Sequence, residues 1–232
     1  MSEKINKRLK ACASFIRRGA ILADVGTDHA YLPLYLLSEG VIDFAYLSDI
    51  NEGPLAKAKE NAEASGFSAK VSLKLSDGAG ALSGLGITDY AICGMGGELI
   101  SDIIDRAPQL KDGEIRLALQ PMSKPEALRK YLFDSGFEIE RELYVTDDGK
   151  HYVCMLAAFS GRTRSYTDAD IHFGREEAFF AAAGDDFLLY MNDRLRSLSK
   201  IISGKLSGGL SADSELMLKD ALEKRLKAIE EK

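Results

Sequence analysis

The stretch ILADVGTDHAYLPLYLL, residues 21–37, decides the fold predicted for this chain. Residues 20–25 form a short apolar run that ends in an acid and a glycine, which is typical of a buried strand. Pro33 suits the first turn of the helix that follows, and Gly26 is the one glycine in the turn between them. The stretch therefore predicts a strand, a tight turn and a helix, which is the first unit of an α/β sheet.

The same alternation of strand and helix continues downstream. Four more apolar runs, three of which end in acids or glycines, predict strands, and the segments between them predict helices. This rhythm predicts a parallel sheet with helices on both faces, which binds ligands at the carboxyl ends of its strands. The predicted strands lie in FAYLSDI (44–50), AKVSLKLSDG (69–78), TDYAICGMGG (88–97) and EIRLALQPM (114–122).

The pattern changes at residue 137. Two β-prone runs in residues 137–159 predict a hairpin with Asp148-Gly149 at its turn. A parallel sheet that ends in an antiparallel hairpin is the pattern of Rossmann-like class I methyltransferases, so an α/β fold of this kind is predicted for residues 1–160, beginning with a basic N-terminal helix. Residues 161–232 are predicted to form a second domain, a helical hairpin linked by GKLSGGL (204–210). Its predicted apolar stripe is Leu216, Leu218, Leu222, Leu226 and Ile229.

The turn after the first strand indicates the kind of cofactor. The chain lacks the GxGxxG fingerprint of dinucleotide sites and the GxxxxGK[ST] phosphate loop. A dinucleotide places its pyrophosphate at the helix N-terminus, where glycines are needed and acids are poor neighbours. Asp24-Val25-Gly26 instead fits the looser methyltransferase pattern of an acid, any residue and a glycine. Because S-adenosylmethionine carries a sulfonium cation and no phosphate, Asp24 and Asp28 suit it better than they suit NAD.

Acids at three successive strand ends extend this interpretation. Asp49 follows the second strand and can accept hydrogen bonds from both ribose hydroxyls, and Asp77 follows the third, where it could accept from the adenine amino group. Each acid alone is also ordinary turn chemistry. Together with Asp24 they predict an S-adenosylmethionine site. The predicted cofactor-binding residues are Asp24, Gly26, Thr27, Asp28, His29, Asp49, Ile50, Asp77, Gly78, Gly94 and Met95.

The fourth predicted strand ends in CGMGGE, residues 93–98, where the methyl acceptor approaches in this fold. Amino-directed adenine methyltransferases resemble one another in an Asn/Asp-Pro-Pro-Tyr/Phe tetrad there, whereas this chain has GMGG. No side-chain carbonyl is offered to an exocyclic amine, and a planar base can approach the backbone closely. Gly96 and Gly97, with Gln120 and Pro121, are therefore predicted to wall the acceptor pocket.

Six motifs occur in order: ADVGTDHAYLP, SDIN.GPL..A..N, SDG, GMGG, LQP and DDGKHY. With them the chain resembles the bacterial tRNA (adenine(22)-N1)-methyltransferase family over residues 5–160, and GTDHAYLP is the most specific part. The C-terminal region is similar in kind, because that family carries a helical, coiled-coil-like C-terminal domain. The resemblance implies methyl transfer from S-adenosylmethionine to N1 of adenine 22 in tRNA.

The chemistry implied by this resemblance assigns roles in the first turn. N1 of neutral adenine carries a lone pair, so no base must first remove a proton, and alignment and electrostatics can suffice. The product base is cationic, so Asp28 is predicted to stabilise the developing charge. His29 is predicted to orient Asp28 or to contact the cofactor, although local packing stays open for His29 and for Tyr31. The base must leave its stack to react. Predicted substrate contacts are Tyr31 and, for phosphates, Arg8, Arg17 and Arg18 with Lys4, Lys7 and Lys10.

Bulk composition limits the remaining choices. The 232 residues are 46 % hydrophobic and 28 % charged, which is usual for a soluble globular protein. No apolar run approaches the roughly 18 residues that span a bilayer, and no secretory signal opens the chain, so a cytoplasmic protein without a membrane partner is expected. Cys12, Cys93 and Cys154 show no CxxC pairing, so free thiols and no metal site are expected. The net charge is −6, yet residues 1–20 carry six basic side chains and one acid.

Three other functions stay open at this point. The site could serve a methyltransferase for another RNA or for a small molecule. The fold could also be a non-catalytic module that binds tRNA or protein. An NAD oxidoreductase is least favoured, because the glycines are missing. The expected partner is tRNA, and the expected state is a monomer or a weak homodimer.

Overall fold

The structure, a computed structural model, describes residues 5–163, 165–176 and 184–231. Within these ranges one sheet contains β1 (Ile21–Val25), β2 (Phe44–Asp49), β3 (Val71–Leu75), β4 (Asp89–Gly96), β5 (Arg116–Ser123), β6 (Phe137–Asp147) and β7 (Lys150–Phe159). The strand order is β3-β2-β1-β4-β5-β7-β6. Strands β1 to β5 pair in parallel, and β7 lies antiparallel between β5 and β6. The predicted methyltransferase topology is confirmed.

Helices cover both faces of the sheet. The described helices are α1 (Lys7–Ala13), α2 (Tyr31–Ser38), α3 (Glu52–Ala64), α4 (Gly97–Asp105), α5 (Pro125–Asp134), α6 (Asp168–Phe173), α7 (Asp185–Ser207) and α8 (Asp213–Glu230). One apolar core joins a face of the sheet to α1, α2 and α3, and a second core joins the other face to α4 through α8. Among the described helices, none is long and apolar enough to cross a membrane.

The hairpin turn forms as its residues require. Asp148 has a φ of 48° and Gly149 a φ of 68°, and these are the two positive angles of a type I′ turn. An Asp-Gly pair tolerates this backbone well, and its twist matches that of the flanking strands. The hairpin therefore brings β7 back into the sheet beside β5.

The N-terminal basic segment forms a short helix, as its pattern predicts. Helix α1 begins after Asn6, whose side chain caps it by accepting from the Leu9 amide, and it ends at Ala13. Cys12 and Ala13 are buried against the sheet, while Lys7 and Lys10 are exposed. Residues 14–20 continue as turns toward β1. Lys4 lies outside the described residues.

The C-terminal helices pack on the sheet as well as on each other. Phe173, Phe187 and Met191 are buried in the same core as α4 and α5, so apolar packing continues across the predicted boundary at residue 160. Of the predicted stripe on α8, Leu222 is buried and its neighbours Leu218, Leu226 and Ile229 pack against this core. The prediction is wrong for Leu216, which is 45 % exposed.

The predicted helical hairpin needs one correction, at the link between its helices. Residues 204–207, predicted as part of the link, are still helical, so the turn begins at Gly208. The first part of the predicted hairpin includes residues 177–183, which lie outside the described residues.

Candidate active site

The order of the strands places a cleft at the carboxyl ends of β1 and β4. The sheet reverses its direction of growth there, and open α/β sheets bind ligands at such a switch point. The cleft has a volume of about 330 Å³. Helix α1 closes one side of it. The lining residues are Asn6, Arg8, Leu9, Asp24, Gly26, Asp28, Tyr31, Leu32, Cys93, Gly94 and Met95.

The loop between β1 and α2 has an unusual backbone. Gly26, His29 and Ala30 have φ angles of 73°, 63° and 58°, all in the left-handed region. Glycine adopts this region freely, but each of the other two residues is held there at a cost of roughly 1–3 kcal/mol. Neighbouring groups hold the loop: the amides of Gly26 and Thr27 both donate to the Ser48 carbonyl, at 2.8 and 2.9 Å.

Asp24 is the buried acid of this loop. Its Oδ2 accepts from the Thr27 hydroxyl at 2.6 Å. Burial raises the pKa of Asp24 to about 6, and the Thr27 hydrogen bond opposes that shift. The negative charge of Asp49 on the neighbouring strand adds to the increase. Asp24 is therefore an acid whose charge depends strongly on what lies beside it near neutral pH.

Asp28 has the opposite environment. Its side chain is 79 % exposed toward the cleft, and its Oδ1 lies 3.2 Å from His29 Nε2. The His29 ring stacks on Tyr31 at 5.2 Å with an interplanar angle of 9°. His29 Nδ1 is buried without a hydrogen-bond partner in the described part of the chain. The loop thus presents one accessible carboxylate beside an imidazole.

The predicted acids at the next two strand ends have their own partners. Asp49 is the last residue of β2, and its Oδ1 accepts from the Asn51 amide at 2.8 Å. Asp77 pairs with Arg106 at 2.8 Å, and this hydrogen bond lowers the pKa of Asp77. Ile50 follows Asp49 and is 61 % exposed, which offers an apolar surface beside a carboxylate.

The carboxyl end of β4 meets α1 through a buried glutamine. Gln120 Oε1 accepts from the Gly94 amide at 3.2 Å and from the Arg8 guanidinium, and Gln120 Nε2 donates to the Pro121 carbonyl at 2.8 Å. The Arg8 guanidinium also lies 5.7 Å from the centre of the Tyr152 ring. Arg8 is therefore fixed as a wall of the cleft, close to the predicted acceptor loop.

Gly96 and Gly97, which were predicted to wall the acceptor pocket, are glycines for a reason of packing within the chain. A Cβ on Gly97 would overlap the carbonyl oxygen of Lys124 and would lie 3.2 Å from that of Ser123. A Cβ on Gly96 would lie 3.3 Å from Ser123 Oγ. The space beside both glycines is filled by the segment that connects β5 to α5. Packing within the chain therefore explains why these two residues lack a side chain, and their contact with a base stays a prediction.

The three predicted phosphate-binding arginines do not form one surface. Arg17 donates to both carboxylate oxygens of Asp89, which is completely buried, through its amide at 2.9 Å and its guanidinium at 2.6 Å. Its guanidinium also donates to the carbonyls of Thr88 and Glu114. Asp89 is the first residue of β4, so this contact lies at the amino ends of the parallel strands, whereas the cleft lies at their carboxyl ends. Arg17 therefore anchors the chain before β1, away from Arg8, and its contact with a tRNA phosphate stays a prediction.

Arg18 also lies near the amino ends of the parallel strands. It donates to the carbonyl of Gly40, in the turn that leads into β2. Of the three arginines, only Arg8 reaches the cleft.

Two features of the site escaped sequence reasoning. Asn61 of α3 donates through Nδ2 to the His29 carbonyl at 2.9 Å. The motif SDIN.GPL..A..N contains this asparagine and was the one available signal. The thiols of Cys12, Cys93 and Cys154 also come together beside the cleft, where hydrogen bonds between them raise the pKa of Cys12. Nothing in their spacing indicated this.

The chain is similar to known methyltransferases over most of its length. A family model described as a methyltransferase domain matches residues 5–155. The tRNA (adenine(22)-N(1))-methyltransferase of Bacillus subtilis (strain 168) is 32 % identical over 171 residues, which covers 74 % of this chain and 72 % of the relative.

Solved structures agree with this similarity. The crystal structure of Streptococcus pneumoniae Sp1610 in complex with S-adenosyl-L-methionine matches with a TM-score of 0.83 at 30 % identity, covering 96 % of this chain and 99 % of that one. The Bacillus subtilis M1A22 tRNA methyltransferase TrmK matches with a TM-score of 0.77 at 27 % identity, covering 98 % of each chain.

The strand order, the inserted antiparallel β7 and the acid-lined switch point define a class I, S-adenosylmethionine-dependent methyltransferase. Within that class, the chain belongs to the tRNA (adenine(22)-N1)-methyltransferase family. The predicted fold, enzyme class and cofactor are thereby confirmed, and the individual site residues stay predictions.

The residues at the strand ends fit this cofactor. The loop after β1 offers carboxylates, which suit a cationic ligand. It has one left-handed glycine, and its acids would repel a pyrophosphate. The described ranges contain no group of three His, Cys, Asp or Glu side chains placed to hold a metal ion.

Proposed function

We propose that this chain transfers a methyl group from S-adenosylmethionine to N1 of adenine 22 in tRNA. The observation that carries this proposal is the accessible Asp28 carboxylate, set in the cleft between the loop after β1 and the carboxyl end of β4. The reaction follows the family to which the chain belongs, and the Bacillus subtilis relative bears this activity in its name.

The cleft supplies alignment and charge to the reaction. S-adenosylmethionine, when bound, supplies a methyl group on a sulfonium centre. The N1 lone pair attacks without prior loss of a proton, so the protein must hold the base in line and exclude water. The adenine ring becomes positively charged as the methyl group arrives, and Asp28 stabilises that charge. His29 orients the carboxylate through the 3.2 Å contact between Nε2 and Oδ1.

Arg8 is proposed to contact the target nucleotide inside the cleft. Gln120 and Tyr152 hold its guanidinium at the entrance, beside Gly94. A fixed cation there attracts the phosphate of a nucleotide that has left its stack. Lys7 and Lys10 lie exposed on the same helix and extend the positive charge toward the rest of the tRNA.

Substitution of Asp28 tests the proposal. We expect Asp28→Ala to lower kcat for tRNA methylation by about 10²- to 10³-fold, the usual effect of removing an electrostatic stabiliser. The thermal midpoint should stay the same, because the side chain is exposed. The measurement is radiolabel transfer to tRNA from cells that lack the enzyme, followed by mapping of the modified base. Asp43→Ala, an exposed acid in the turn before β2, is the matched control.

The outcomes separate the alternatives. Label in another RNA or in a small molecule, with none in tRNA, would favour a different acceptor. Failure to bind S-adenosylhomocysteine in a calorimeter would favour a non-catalytic module. Full activity of Asp28→Ala would remove Asp28 from the mechanism.

We also propose that the protein acts in the cytoplasm, where a tRNA substrate is found, and that it is a monomer or a weak homodimer.

A further inference from the structure

Asn61 is the one side chain of α3 that donates to the strained loop after β1 in the described structure. Its Nδ2 donates to the His29 carbonyl at 2.9 Å, across 32 residues of sequence. His29 and Ala30 are the two non-glycine residues in left-handed conformations there, and the donated bond is to the carbonyl that joins them.

The loop has few other means of staying in this conformation. Ala30 is the N-cap of α2, yet it has no capping side chain. The amide bonds to the Ser48 carbonyl hold the loop at Gly26 and Thr27, before the strained pair. The amide of Leu34 bonds to the Ala30 carbonyl and holds the loop after it. Asn61 acts between these two points, where the backbone is least favourable.

The direction of two side chains depends on this turn. With His29 in the left-handed region, its Nε2 lies beside Asp28 Oδ1 and its ring stacks on Tyr31. A turn that relaxed to ordinary angles would move the carboxylate away from its place in the cleft and the imidazole away from that carboxylate.

We infer that Asn61 is a positioning residue for methyl transfer, which locks the His29–Ala30 turn so that Asp28 and His29 face the acceptor. This inference rests on the proposed function for its kinetic consequence, but the locking itself is independent of that function. Asn61 contacts neither reactant in this role, since its bonded atom faces the backbone.

The first test removes the side-chain donor. We expect Asn61→Ala to lower kcat about 10- to 100-fold, the effect of a misplacement on the order of an ångström, with KM for tRNA and affinity for S-adenosylhomocysteine changed less than about threefold. Amide hydrogen exchange in residues 27–34 should become faster. Glu63→Ala, an exposed change two residues along the same helix, is the matched control for both readouts.

The second test restores the turn by another route. Glycine adopts left-handed angles without strain, so Ala30→Gly in the Asn61→Ala background should recover most of kcat and of the slow exchange. If kcat fell because the whole fold was destabilised, Ala30→Gly would not restore it. If Asn61→Ala does not fold, Asn61→Asp keeps the shape and turns an oxygen toward the His29 carbonyl, and it should show the same losses.

Two results would overturn the inference. One is unchanged kcat and unchanged exchange in both Asn61 variants. The other is a loss of kcat that Ala30→Gly does not relieve. Failure of the proposed function is distinguishable, because the wild type would then not methylate tRNA, while faster exchange in Asn61→Ala would still report the lock.

Discussion

Two carboxylates in one loop differ because their surroundings differ. Asp24 is buried against Thr27, and burial raises its pKa to about 6, whereas Asp28 points into the open cleft. Carboxylates four residues apart can therefore serve different purposes in one reaction. Asp28 is suited to face a base that becomes charged during the reaction. Asp24 is suited to respond to a cation that arrives with the cofactor.

The raised pKa of Asp24 predicts a pH dependence of cofactor affinity. Below about pH 6 the Asp24 carboxyl is protonated in the free protein and must lose its proton to face a cation. Affinity for S-adenosylmethionine should therefore fall by up to about tenfold per pH unit below pH 6 and level off above pH 7. Asp24→Asn should bind more weakly at pH 7 and should lose this dependence. Calorimetric titrations at pH 5, 6 and 7 measure both effects.

A measurement of stability shows whether a loss of cofactor affinity comes from Asp24 itself or from unfolding of the protein. Ionised Asp24 is unfavourable in its buried place, because its pKa is raised from 3.8 to about 6, a difference worth about 3 kcal/mol. Asp24 therefore contributes stability below pH 4 that is lost as the pH rises through 6, the sign for an acid whose folded pKa is raised. Asp24→Asn should not lower the thermal midpoint at pH 7. An equal pH dependence of affinity in both proteins would contradict the assignment.

At the scale of elements, the start of α4 is set by contact with the β5–α5 connection. Gly97 is the first residue of α4 and is buried, and the Lys124 carbonyl occupies the place of its missing Cβ. The clashing atom belongs to the backbone, so it cannot turn aside as the end of a flexible side chain could. The glycine therefore serves the packing between two neighbouring units of the fold.

Gly97→Ala should be strongly destabilising for this reason. A backbone clash forces α4 away from the β5–α5 connection, and we expect a loss of about 2 kcal/mol or more in the free energy of unfolding. Gly204→Ala is the matched control, because Gly204 lies in α7 with nothing near its Cβ position. That change should stabilise the protein by about 0.5–1 kcal/mol. Urea unfolding measures both, and equal effects of the two substitutions would contradict the contact.

Local patterns were enough to predict the order of elements. The alternation of apolar runs and helix starts placed β1 through β5, and Asp148-Gly149 placed the hairpin, because each depends on residues close in sequence. The acids at the strand ends were also predictable, since parallel strands all end at one edge. The left-handed His29 and Ala30 were not predictable, because only distant contacts such as Asn61 hold them there.

Long-range pairing explains two features that local patterns did not indicate. Arg17 looked like part of a basic surface, and only the buried Asp89, 72 residues away, shows why it is bound elsewhere. The clustering of the three thiols likewise depends on how α1 packs against β4 and β7. Neither follows from periodicity or composition.

At the scale of the whole molecule, a buried ion pair joins the sheet to the C-terminal region. Arg129 of α5 donates to Glu142 of β6 at 2.7 Å, and both side chains are almost completely buried. Arg129 also donates to the carbonyls of Ile171 and His172 in α6. Glu142 accepts in turn from the Tyr144 hydroxyl at 2.9 Å. Both polar contacts and the apolar core therefore join residues that precede residue 160 to residues that follow it.

Arg129→Met should therefore destabilise the whole chain. It leaves Glu142 buried and uncompensated, which costs about 3–5 kcal/mol. Adding Glu142→Leu should return part of that loss, because the buried charge is then gone. Lys130→Met is the matched control on the same helix, because its pair with Asp134 is exposed and should contribute less than about 1 kcal/mol.

The form of the thermal transition tests whether residues 161–232 unfold on their own. Since one core contains Leu128 and Leu132 of α5 together with Phe173 and Phe187, we expect a single cooperative transition in the wild type and in Arg129→Met, shifted to lower temperature in the variant. Two transitions, of which Arg129→Met shifts only the smaller, would instead mean that the C-terminal helices form an independent domain. Calorimetry decides this, because the calorimetric and van't Hoff enthalpies agree only when the two regions unfold together.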